Sequence, residues 1–236
     1  MKLGNYDLMT IVVPVMGTNC YFLIKDGNAI LIDAAGDGVM LYDYINNNNI
    51  KLDAIFLTHG HFDHIEALDL LHEKYENVPI YAFEGEKVVI ENMANNLMDH
   101  ELKTETKDAI NYIKDESVIS KLGLDIKLIH TPGHTAGSCC YYIEKLNILF
   151  SGDTLFCETY GRTDLPTSDT KAIVISVAVR LMELGDNVEV YPGHGFRTSI
   201  GHERKNNELV RDYVIKWAEN AYWFYIESMI YLLCMV

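Results

Sequence analysis

Apolar residues come in short β-favouring runs over the first part of the chain, Ile11 to Val15, Tyr21 to Ile24 and Ala29 to Ile32, with turn residues at Gly17, Asn19 and Asp26-Gly27 between them. Runs of this length bounded by turn signals predict three strands, a meander at a sheet edge between Leu8 and Asp33. The period then changes. Val39, Leu41, Tyr42 and Ile45 recur at helical spacing within Gly36 to Asn46, and the polar run Asn46 to Asn49 ends that helix. Asp53 to Leu57 reads as a short buried strand, Glu66 to Tyr75 as a helix packed on one face, Val78 to Phe83 as a strand and Glu86 to Leu97 as a helix. The weakly patterned stretch Asp99 to Glu116 predicts a surface excursion. Strand patterns return at Leu124 to Ile129, Ser138 to Ile143 and Ile148 to Phe150, followed by a helix around Thr170 to Leu184 and a strand at Val188 to Tyr191. Strands and helices mixed without strict alternation or internal repeat suit two sheets packed together with helices outside, an α/β four-layer αββα sandwich.

A length of 236 residues suits one domain with a sizeable core. We place that domain at residues 1–207 and a helical tail at 208–236. Within the tail, Ala221 to Val236 is apolar apart from Glu227 and falls short of the roughly 20 residues that span a bilayer. It predicts a helix packed on the domain or on a second subunit, a route to a homo-oligomer, rather than a membrane anchor. A net charge of -15 disfavours binding that depends on neutralising phosphates, so no nucleic-acid partner is expected. Cys20, Cys139, Cys140, Cys157 and Cys234 are odd in number and show no CxxC spacing, which predicts reduced, mostly buried thiols. Only Lys2 precedes the apolar run Leu8 to Met16 and no small-residue cleavage site follows, so that run reads as a strand and the expected location is the cytoplasm.

The chemistry is concentrated in Thr58-His59-Gly60-His61-Phe62-Asp63-His64, three imidazoles and one carboxylate just after a predicted strand. A tight turn can aim His59 and His61 at one point and Asp63 and His64 at a second beside it, as two adjacent cations require. Thr131-Pro132-Gly133-His134, Ser151-Gly152-Asp153-Thr154 and Tyr191-Pro192-Gly193-His194-Gly195 also follow strand patterns, each with a glycine beside the candidate ligand. His72, His100, His130 and His202 lie outside these motifs. Asp33, at a strand end, is placed either to orient a ligand histidine or to cap a turn.

The THxHxDH run, HTPGHTAGS at 130–138, SGDTLF at 151–156 and YPGHG at 191–195 resemble the metallo-β-lactamase superfamily, over roughly residues 8 to 207. Tyr160-Gly161-Arg162-Thr163-Asp164-Leu165-Pro166 and the stretch Gly201 to Asn207 are similar to glyoxalase II-like hydrolases in particular. The resemblance implies a first metal held by His59, His61 and His134, a second held by Asp63, His64 and His194, and Asp153 bridging both, with Asp63 and Asp153 the catalytic carboxylates. An all-nitrogen-and-oxygen set suits zinc first, then iron(II) or manganese. A hydroxide on such a pair, its pKa brought to roughly 7, is a nucleophile that needs no serine, and no GxSxG elbow is present. The implied reaction is hydrolysis of S-lactoylglutathione or a related small acyl thioester, with Arg162 or Lys205 placed to meet a substrate carboxylate. Alternatives are a persulfide dioxygenase with one iron, a β-lactamase or lactonase, and a non-catalytic or electron-transfer protein.

Overall fold

The computed structural model of the chain describes residues 1–14 and 16–215, and its strands form two main sheets and a small hairpin. The first sheet follows chain order: β1 (Lys2–Leu3), β2 (Tyr6–Val13), β3 (Thr18–Lys25), β4 (Asn28–Ile32), β5 (Lys51–Phe56), β6 (Ile80–Phe83) and β7 (Ile110–Ile113). From β1 to β4 the pairing is antiparallel, which is the expected meander, and from β4 to β7 it is parallel. Each parallel step needs a crossover. These crossovers carry α1 (Val39–Asn47), then α2 (Phe62–Ile65) with α3 (Leu68–Lys74), then α4 (Lys87–Ile90), α5 (Met93–Asn96) and α6 (Thr104–Asp108).

The second sheet is built from β8 (Val118–Lys121), β9 (Leu124–His130), β10 (Cys139–Ile143) and β11 (Ile148–Gly152). After the hairpin β12 (Leu155–Phe156) and β13 (Thr159–Tyr160), and after α7 (Thr170–Ile175), the chain adds β14 (Glu189–Pro192), β15 (Thr198–Ser199) and α8 (Ile200–Asn206). The order across this sheet is β15-β14-β11-β10-β9-β8, and only the β11–β14 pair is parallel.

Side chains alternate across each strand and so divide among three apolar cores. Phe22, Leu31 and Ile55 face away from the second sheet and meet Leu41, Ile45, Leu68 and Leu71 of α1 and α3. Their neighbours Tyr21, Leu23, Ile32 and Phe56 face the second sheet and meet Ile126, Tyr141 and Phe150. On the outer side of that sheet Cys140, Leu149 and Val190 pack under Ile173, Val177, Leu181 and Ile200. Three cores between four layers make the αββα sandwich, and they explain why β11 reads as an unbroken apolar run, since both its faces are covered.

The predicted excursion Asp99 to Glu116 is corrected by α6 and β7, the edge strand of the first sheet. Ile110 is buried there while Asn111 is exposed, so β7 is half wet and its short pattern is weak. The predicted helix Glu86 to Leu97 breaks into α4 and α5 at Asn92, whose side chain accepts from the Ala94 amide and caps α5. The helix predicted over Glu66 to Tyr75 is present as α3, and a separate short helix, α2, precedes it and takes in Asp63 and His64 of the candidate ligand motif. The predicted helix around Thr170 to Leu184 is present, and passes from α7 into a π-helical turn over Ser176–Arg180. Cys20, Cys139 and Cys140 are buried free thiols and Cys157 an exposed one, while Val15, Cys234 and the expected packed tail 221–236 lie outside the described residues. Among the described residues no helix is long and apolar enough to cross a membrane.

The Tyr141 hydroxyl, buried between the sheets, donates to the Leu57 carbonyl at the end of β5 at 2.9 Å. Replacing Tyr141 by Phe should leave that carbonyl underserved and lower stability by about 1–2 kcal/mol. Urea unfolding of wild-type and Y141F protein checks this, and coincident midpoints would contradict it.

Candidate metal centre

The seven candidate ligands leave the sandwich at one edge. β9, β11 and β14 run in the same sense, so the loops carrying His134, Asp153 and His194 emerge side by side at their C-terminal ends. The Thr58–His64 loop leaves the end of β5 in the facing sheet, and the Thr58 carbonyl accepts from the Cys139 amide at 2.9 Å. His59 and His61 stand in the turn, while Asp63 and His64 occupy the first turn of α2. The start of β3 ties down the last loop: the Asn19 amide donates to Gly193 O at 2.7 Å, its side chain to Pro192 O and Gly195 O, and the Tyr21 hydroxyl to Pro192 O at 2.7 Å. A Cβ at Gly193 would run into Asp153 Oδ1 and His64 Cε1, so only glycine lets this loop come so close.

Ligand atoms of His59, His61 and His134 lie within 4.8 Å of one another, as do those of Asp63, His64 and His194. Asp153 lies between the two groups, with Oδ1 3.3 Å from His64 Nε2, and Oδ2 3.3 Å from His194 Nε2 and 3.6 Å from His134 Nε2. The backs of the rings are held. His134 Nδ1 donates to the Arg162 carbonyl at 2.9 Å and His64 Nδ1 to Asp33 Oδ2 at 2.8 Å, which leaves each Nε2 facing the centre. Asp33 also takes the Thr58 amide and hydroxyl, both at 2.8 Å, so it serves the turn as well as the histidine. The Thr18 hydroxyl holds Asp63 Oδ2 at 2.9 Å.

His59 Nε2, His61 Nε2 and Asp153 Oδ1 are buried with no hydrogen-bond partner among the described residues. Unpartnered buried polar atoms are rare, and here they cluster among imidazoles and carboxylates, the donor set of a divalent cation. Burial and the adjacent His64 hold His59 well below its ordinary value, and burial and His134 bring His61 down to about 3. Burial opposes charge on His64 and His194 too, but Asp153 and Asp33 outweigh it at His64, which is held well above its ordinary value, and Asp153 and Asp63 bring His194 up to about 9. Burial likewise pushes Asp63 and Asp153 up, yet His194 and His64 outweigh it and hold both below the ordinary carboxylate range. The centre is thus stocked with lone pairs and anionic oxygen.

A cleft of about 580 Å³ opens over this edge. His61, Asp63, His134, Asp153 and His194 form its floor, and Met16, Phe62, Leu97, Phe156 and Leu165 supply apolar wall. Arg162 is among the residues that line it, and its guanidinium is engaged by Asp164 at 2.7 and 2.8 Å. Lys205, on α8, is exposed and is not among the lining residues. Sequence reading missed Thr18 and the Arg162 carbonyl, since a strand threonine and a backbone oxygen carry no motif.

The profile of the metallo-β-lactamase superfamily matches residues 13–194. The chain is 34% identical to a probable metallo-hydrolase of Streptococcus pyogenes over 198 residues, 82% of this chain and 85% of the relative. It is 31% identical to the hydroxyacylglutathione hydrolase GloC of Haemophilus influenzae over 207 residues, 84% of this chain and 96% of the relative. Among solved structures it is similar to the BLEG-1 B3 metallo-β-lactamase, with a TM-score of 0.79 and 32% identity over 86% of this chain and 99% of that one.

With His194 brought up to about 9 by Asp153 and Asp63, and His64 raised by Asp153 and Asp33, protons compete with a cation for these two rings. A cation needs those lone pairs, so loading with zinc should release protons and the affinity should weaken as pH falls. Calorimetric titration in two buffers of different ionisation enthalpy checks this, and identical heats in both would refute it.

Proposed function

The chain belongs to the metallo-β-lactamase superfamily of metallo-hydrolases, and on that premise we propose that it is a two-metal hydrolase of small acyl thioesters. This rests above all on the convergence of seven ligand-type side chains, several with unpartnered buried atoms among the described residues, at one edge of the sandwich, where five of them form the floor of a substrate-sized cleft. His59, His61 and His134 would hold one cation, Asp63, His64 and His194 the other, and Asp153, which faces both groups, would join them. Nitrogen and oxygen donors without thiolate suit zinc, or else iron(II) or manganese. When bound, the cation pair supplies an activated water and polarises the scissile carbonyl.

The protein's own groups do the rest. Asp33, Thr18 and the Arg162 carbonyl hold His64, Asp63 and His134 in orientation, and the apolar wall excludes water from the acyl carbonyl. The carboxylates that line the cleft, Asp63 and Asp153, both belong to the candidate ligand set, which leaves no spare carboxylic acid among the described lining residues to protonate a departing amine. A thiolate, with a free-thiol pKa of about 8.5, leaves without that help. The likeness to a hydroxyacylglutathione hydrolase supports the same class of substrate. Because Arg162 is already paired with Asp164 and Lys205 does not line the cleft, a thiol with an uncharged or apolar body complements this wall better than glutathione does.

The zinc- or iron-loaded protein should hydrolyse small acyl thioesters faster than lactam amides and consume no oxygen. A thioester assay and an oxygen electrode run on the same samples test this, with a persulfide and a β-lactam as rival substrates. Persulfide-dependent oxygen uptake without thioester hydrolysis, or preferred lactam cleavage, would overturn the proposal. Asp63→Ala should lower the metal content from two ions per chain to one and remove most hydrolysis, with the far-ultraviolet circular dichroism unchanged. Full activity in that variant would sink the two-metal assignment.

A further inference from the structure

Glu86 lies outside both the ligand set and the cleft wall, yet it is only 1% exposed. It sits in the turn that follows β6. Its Oε1 accepts from the Gly60 amide at 2.7 Å, its Oε2 accepts from the Thr135 hydroxyl at 2.9 Å, and the Gly137 amide also donates to it. Gly60 separates His59 from His61 on the loop of the first sheet, and Thr135 follows His134 on a loop of the second. One buried carboxylate therefore binds the backbone between two ligands and the residue next to a third.

The surroundings are built for this contact. A Cβ at Gly137 would collide with Glu86 N and Oε2, and one at Gly60 would meet Ile90 Cγ1 at 2.6 Å and Glu86 Oε1 at 3.3 Å. Gly137 has to be glycine for the carboxylate to come this near, while Gly60 is crowded chiefly by Ile90. No lysine, arginine or histidine pairs with Glu86 among the described residues. A carboxylate with donors on both oxygens can accept from every one of them, whereas an amide must turn its own N–H groups toward one side. Thr135 is itself held, since its hydroxyl lies 2.6 Å from Ser138 Oγ and its amide donates to that same oxygen at 3.0 Å.

We propose that Glu86 is a positioning residue of the metal centre, a buried strut that sets the separation between the His59–His61 turn and the His134 loop so that the three imidazoles arrive as one ligand set. This rests on the metal-centre reading above. It assigns Glu86 no contact with substrate or metal; its effect passes through the two loops. Glu86→Gln keeps the volume and breaks the tie on one side, so its affinity for zinc, measured by competition with a chelator, should fall about 10–100-fold. The visible absorption bands of the cobalt(II)-substituted protein should shift as the imidazoles move. Thr135→Val removes a single donor and should give a smaller change in the same direction, which keeps the test available if Glu86→Gln fails to fold. Wild-type zinc affinity and cobalt spectrum in a folded variant, with only the metal-free stability reduced, would show Glu86 to be structural and overturn the inference. A wild-type chain that retains no zinc would overturn the metal-centre reading as well, so the two failures are told apart.

Discussion

A lone pair kept from water with nothing to receive it is costly, and the seam between the two sheets concentrates such atoms at one edge. His59 Nε2, His61 Nε2 and Asp153 Oδ1 lie there without a hydrogen-bond partner among the described residues, with Asp63 and His64 buried beside them. Three apolar cores supply the stability that lets the molecule tolerate this arrangement. The middle one, where Tyr21, Phe56, Tyr141 and Phe150 meet, holds the strands whose ends carry the ligands. The mouth of the sandwich is thus a region of unfavourable polar burial carried by a favourable apolar interior.

Orientation comes from groups behind the ligands. Asp33 fixes His64 and the Thr58 turn together, Thr18 fixes Asp63, and a backbone carbonyl fixes His134. Each supporting contact crosses between segments distant in sequence. Thr18 and Asp63 are 45 residues apart, and Tyr21 reaches Pro192 over 171. The Asp33 and Thr18 ties join segments of the first sheet and the His134 tie joins segments of the second, while Tyr21 and Pro192 link the two sheets.

This division decides what was legible in the chain. The ligand loops were readable because histidine and aspartate beside glycine at strand ends are dense and unusual, and β3, β4 and β11 because both their faces are apolar. β7 was not, since an edge strand with Asn111 in the open has too little alternation to stand out. The break at Asn92 depends on a side-chain cap competing with helix continuation, a local contest that periodicity does not register. Supporting groups were hardest to find. Asp33 was visible only as one of two options, and Glu86 looked like an ordinary acid opening a helix, because its meaning lies in Gly60 and Thr135, which chain order does not place near it. Lys205 is close to a motif in sequence, yet it sits on α8 and is not among the residues that line the cleft.

The candidate ligands divide by sheet. His59, His61, Asp63 and His64 belong to the segment that builds the first sheet, and His134, Asp153 and His194 to the segment that builds the second. Neither half of the molecule contains a complete set, so a cation held by this edge would be a further clamp between halves already joined by packing and by hydrogen bonds such as Tyr21 to Pro192 and Tyr141 to Leu57. Breathing of the sandwich would have to strip ligands from the ion first. Resistance to proteolysis and slow unfolding then become properties that trace-element supply can set, and the concentration of free divalent ion around the protein would govern its lifetime as well as its chemistry.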